Sequence, residues 1–97
     1  MEFMIKTVNG DWFQFPSSSG PEVFLPQGLT ATVETTSDSV NVKYNECIFS
    51  FSVEEPGIQV VLESGTMSIS QATVFVEAVV KTVESAAQQE CEYIQYA

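Results

Sequence analysis

From Leu29 to Leu62, apolar side chains recur at every second position. Leu29, Ala31 and Val33 alternate with Thr30, Thr32 and Glu34, and Val40, Val42 and Tyr44 alternate with Asn41, Lys43 and Asn45. Cys47, Phe49, Phe51 and Val53 continue the series, followed by Ile58, Val60 and Leu62. A period of two marks strands with one buried face. The turns provide a check, because directly opposed residues of antiparallel strands share a face. With Asn45-Glu46 as a turn, Tyr44 opposes Cys47; with Glu54 to Gly57 as the next, Val53 opposes Ile58. Both pairings stay within the apolar set, so the segment reads as a β-meander.

After "ESGTM" the period changes. Ser68 and Gln71 have the spacing of a capping box, in which the two side chains satisfy each other's orphan amides. Beyond them Ile69, Ala72, Phe75, Val76, Val79, Val80, Val83, Ala86 and Ala87 share one arc of a helix, opposite Ser70, Glu77, Lys81, Glu84 and Gln88. Five valines between 74 and 83 make this a poor helix in isolation, so it must be held by a sheet. "CEYIQY", residues 91 to 96, reads as a closing strand beside the meander. Near the N-terminus, "EFMIKTV" and "DWFQF" flank Asn9-Gly10, a dipeptide suited to a two-residue hairpin turn. "PSSSGP" reads as a loop, and "EVFL" as a short edge strand ended by Pro26 and Gly28.

The expected fold is therefore α+β: an antiparallel meander of about five to seven strands, one C-terminal helix on one face, and a short last strand. The length of 97 residues suits a single domain, 1–97. A lone helix covers one sheet face only. The other face is expected to show Thr30, Thr32, Asn41, Lys43, Ser50, Ser52, Gln59, Ile48 and Val61, with acids gathered at the hairpin tips.

Composition sharpens the picture. Thirteen acids stand against three lysines, with no arginine and no histidine, for a net charge of −10. Phosphate backbones and anionic membrane surfaces are bound chiefly by Lys and Arg, so nucleic acid and membrane are not expected partners. A basic protein is, and its encounter rate would fall with salt. Glu2 stands where a secretory signal carries basic residues, and the apolar runs are far below the ~18 residues of a membrane span, so a cytoplasmic address is expected. Cys47 alternates with core residues and reads as a small buried hydrophobe. Pairing with Cys91 would require neighbouring strands and an oxidising compartment.

Without histidine the commonest machinery for activating a Ser or Cys nucleophile is missing, and neither "NECIF" nor "QECEY" has a basic neighbour to lower a thiol pKa. The five glycines are scattered, and no calcium-loop spacing occurs. The expectation is a non-enzymatic protein with neither cofactor nor metal. In size, acidity and lack of histidine the chain resembles toxin-immunity proteins and phage inhibitors that imitate nucleic acid, a likeness of charge and size that covers no motif. It implies an inhibitor of a basic partner, with Glu34, Glu46, Glu54, Glu55 and Glu63 as partner-facing charges and Trp12 as an anchor. The alternative is an assembly module that forms a homodimer or larger assembly through its sheet face or the 91–96 edge.

Overall fold

The computed structural model describes residues 1–55 and 57–96. Among these, six strands form one antiparallel sheet: β1 (Glu2–Thr7), β2 (Thr32–Thr35), β3 (Val40–Tyr44), β4 (Cys47–Glu54), β5 (Gly57–Ser64) and β6 (Cys91–Gln95). A single α-helix, α1 (Ile69–Ala87), joins β5 to β6. The strand order is β2-β3-β4-β5-β1-β6. The meander holds as read: Tyr44 opposes Cys47 and Val53 opposes Ile58. Asn45 and Glu46 both adopt positive φ, at 50° and 64°, as a two-residue hairpin turn requires. β1 lies between β5 and β6, so the two strands distant in sequence from the meander complete its far side.

The helix begins as its capping box dictates. Ser68 Oγ accepts the Gln71 amide and Gln71 Oε1 accepts the Ser68 amide, both at 3.2 Å. Its buried stripe of Ala72, Phe75, Val76, Val79, Val80, Val83 and Ala87 lies on the sheet's apolar face. Phe75 is the centrepiece, stacked on Phe49 with ring centroids 4.2 Å apart and on Tyr44 at 5.3 Å. Four of the five valines, 76, 79, 80 and 83, are thus held helical by burial, which outweighs their small propensity deficit, while Val74 is exposed. Gly57 is required where β5 begins, since a Cβ there would strike the Ile5 carbonyl oxygen.

The structure corrects four readings. "DWFQF" is not a strand: both sides of β1 are occupied by β5 and β6, so the chain turns at Gly10 (φ 85°) and leaves the sheet. Its alternation survives in the loop, with Phe13 and Phe15 half-buried against the core and Trp12 and Gln14 exposed. "EVFL" forms a short 3-10 helix, Pro21–Phe24, that drives Phe24 onto Phe51 at 5.0 Å. Leu29 and Ala31 precede β2 as loop residues. Ile69, the first helical residue, and Val53, near the tip of β4, are exposed where nothing covers them. Cys47 is buried, as its alternation with core residues implies, and both it and Cys91 are free thiols. Strands β5 and β1 separate their strands by three sheet spacings, ~14 Å, against the ~7 Å limit for a bridge.

Candidate functional site

Because α1 covers one side of the sheet, the other side is open. Alternation from the buried residues places Thr32 and Glu34 of β2 on it, then Asn41 and Lys43 of β3. The central strands add Ile48, Ser50, Ser52 and Glu54 from β4, and Gln59, Val61 and Glu63 from β5. A shallow depression of about 550 Å³ runs over Asn41, Ile48, Ser50, Ser52, Gln59, Val61 and Glu63. The hydroxyls here hold carboxylates. Ser50 Oγ donates to Glu63 Oε1 at 2.9 Å, and Ser52 Oγ donates to Glu54 Oε1 at 3.3 Å. Gln59 Nε2 donates to the Tyr96 hydroxyl at 3.0 Å.

The open face carries more charge than the meander alone suggests. β1 contributes Glu2, Met4 and Lys6, and β6 contributes Glu92 and Ile94, since Phe3, Ile5, Thr7 and Cys91 point into the core. The register shift between Ile48 and Phe49 leaves Glu63 as an extra residue against β4, where it reaches Ser50. Five carboxylates (Glu2, Glu34, Glu54, Glu63 and Glu92) therefore share the face with Lys6 and Lys43 around an uncharged centre. The contribution of β1 was legible in the alternation of "EFMIKT". Its place beside β5 was not, because strand order leaves no local trace in sequence.

The six residues singled out in the sequence do not form one cluster. Glu54 and Glu55 lie at the β4–β5 turn, at the end of the sheet where β1 finishes and the Trp12 loop begins. Trp12 is 61% exposed, and Gln89 holds its strand-like segment, donating to the Trp12 carbonyl at 3.0 Å and accepting the Gln14 amide at 2.8 Å. Glu46 and Glu63 lie at the opposite end, roughly 20 Å away along β4. Glu34 sits on the outer strand β2. The rim is thus two acidic ends and an acidic edge, joined by the open face.

Elsewhere, burial pushes the Cys91 thiol up to about 11, and the charge of Glu84 adds to the rise. That thiol is a poor nucleophile at neutral pH. The Tyr93 phenol is also raised, first by burial and then by its hydrogen bond to Glu77 and that carboxylate's charge. Among the described residues no group of three or more Asp, Glu or Cys side chains is placed to hold a metal ion. Within the same residues no helix is long and apolar enough to cross a membrane. No protein-family model, no curated protein and no solved structure matches this chain.

Proposed function

We propose that the protein is a non-enzymatic acidic binding protein that inhibits a basic protein partner by occupying its positively charged surface. The observation that carries this reading is the open sheet face. It has an uncharged centre of Ser, Gln, Val and Ile side chains and bears five carboxylates against two lysines. Ordered hydroxyl–carboxylate pairs fix two of those charges in place, so less side-chain freedom is lost on docking. A net charge of −10 adds long-range attraction, which raises association rates at low salt. A basic cleft that otherwise takes nucleic acid is the surface such a plate would fit.

The test begins with proteins retained by the immobilised chain at low salt and released by added salt. Association of the retained partner is then timed against two charge reversals, Glu54→Lys with Glu55→Lys and Glu46→Lys with Glu63→Lys. Each pair should slow association at low ionic strength by on the order of tenfold, with little difference at high salt. Equal rates for the unaltered chain and both reversals would remove the acidic ends from the mechanism.

The homo-oligomeric assembly module has one observation in its favour. Ile94 and Tyr96, each 48% exposed, put apolar surface at the β6 end of the open face. Self-association there would bring two chains of charge −10 together, which is why the basic partner is preferred.

A further inference from the structure

β6 is the last strand of the sheet, and its outer edge is where the backbone has work left to do. Tyr96 donates its amide to the Glu2 carbonyl, and Val8 donates to the Glu90 carbonyl. In an antiparallel ladder this alternation turns residues 92, 94 and 96 toward β1 and residues 91, 93 and 95 outward. The Leu62 amide, bonded to the Met1 carbonyl, fixes the same parity from the other side of β1. Of the three outward amides, Cys91 already donates to Glu84 Oε2 at 2.9 Å, a helix carboxylate standing where a neighbouring strand would place a carbonyl. The amides and carbonyls of Tyr93 and Gln95 meet no backbone partner among the described residues.

Alongside this edge an open cleft of about 680 Å³ reaches onto α1, lined by Glu77, Val80, Lys81 and Glu84 of the helix and by residues 91 to 93 of β6. On the helix side its charged residues are Glu77 and Glu84 against Lys81. We propose that the β6 edge accepts an extended basic segment of a partner protein as a seventh strand, with the backbone groups of Tyr93 and Gln95 pairing it. Lysine or arginine at alternate positions, on the side of α1, would meet Glu77 and Glu84, and the apolar residues between them, on the open side, would lie beside Ile94. Backbone pairing supplies affinity and the carboxylates supply selection, the usual division of labour in strand addition. A second copy of this chain would offer the same edge but the wrong charge.

The proposal rests on the reading of a basic partner, and its test separates the two. The full chain, isotopically labelled, is titrated at low salt with a synthetic Lys-Val-Lys-Val-Lys-Val peptide and with the same peptide N-methylated on every backbone amide. The two carry equal charge, but the second cannot pair as a strand. The expected result is that the Tyr93 and Gln95 amides shift and exchange more slowly with the first peptide, and that the second binds at least about tenfold more weakly. Gln95→Pro, which removes an outward amide and no bond to β1, should weaken the first peptide to the level of the second. Equal binding by both peptides would overturn the edge while leaving charge attraction intact. Binding that perturbs only Glu46, Glu63 and their neighbours, or no binding at all, would overturn it too. So would finding the Tyr93 and Gln95 amides protected in a peptide-free dimer, which would make a second copy the occupant.

Discussion

Cys91 shows how a single side chain records its surroundings. It is buried where β6 starts, with its amide held by Glu84 and its thiol donating to the Gln89 carbonyl at 3.4 Å. Burial, then the Glu84 charge, moves the thiol from an ordinary 9.0 to about 11. The folded chain therefore keeps this proton at a pH where the unfolded chain has lost it. Such a group stabilises fully below the unfolded value and progressively less as pH climbs through the folded one. Tyr93 acts with the same sign, because its phenol is raised too. Urea unfolding should accordingly show stability falling from pH about 9 to about 11, and Cys91→Ala should make that fall shallower. An identical slope in the variant would assign the alkaline loss to other groups. The same scale shows what alternation alone reveals. That Trp12 and Gln14 alternate with Phe13 and Phe15 was legible in five letters; how far Trp12 would stand out in solvent, on a backbone that is not a strand, was not.

At the scale of elements, two turn dipeptides behaved differently, and the reason is not local. Asn45-Glu46 and Asn9-Gly10 are both turn-forming, and both turn. The first has an empty place for the returning strand, so β4 lies down beside β3. After the second that place is held by β6, which arrives from the far end of the chain and pairs with β1 over five residues. Thr7 donates its hydroxyl to the Asp11 carbonyl at 2.6 Å, and Asn9 Oδ1 accepts the Asp11 amide at 3.2 Å, bending the chain out of the sheet. Meander and helix were legible because period and caps are local; strand order was not, because it is decided by competition between distant segments. The successful turn still stores strain, since Glu46 adopts a left-handed conformation (φ 64°) that favours glycine. Glu46→Gly relieves that strain at the expense of a more flexible unfolded chain. The net expectation is a gain of about 0.5–1 kcal/mol, read from the urea midpoint at unchanged slope. No gain would mean that Glu46 makes a compensating contact.

For the whole molecule, charge and shape pull in opposite directions. The chain condenses to a radius of gyration of 12.2 Å around one shared core of Phe, Val and Ile side chains, yet it carries a net charge of −10. Most carboxylates stay exposed at turns and on the open face, where water and counterions screen them. Folding nonetheless brings them closer together than in the expanded unfolded chain, and that repulsion opposes compaction. Neutral salt should therefore stabilise this protein. Its thermal midpoint should rise as ionic strength goes from ~0.01 M to ~0.15 M, where the Debye length shrinks from about 30 Å, wider than the molecule's radius, to about 8 Å. Sodium chloride is the right salt for the test, since sulfate also strengthens apolar burial and would raise the midpoint for a second reason. The same repulsion bears on function, because a basic partner would relieve it on binding. Stabilisation by that partner should then shrink as salt rises, opposite in direction to the effect of salt on the free chain. A free-chain midpoint flat across this range would show that the acids lie too far apart to oppose folding, and that relief of repulsion adds nothing to docking.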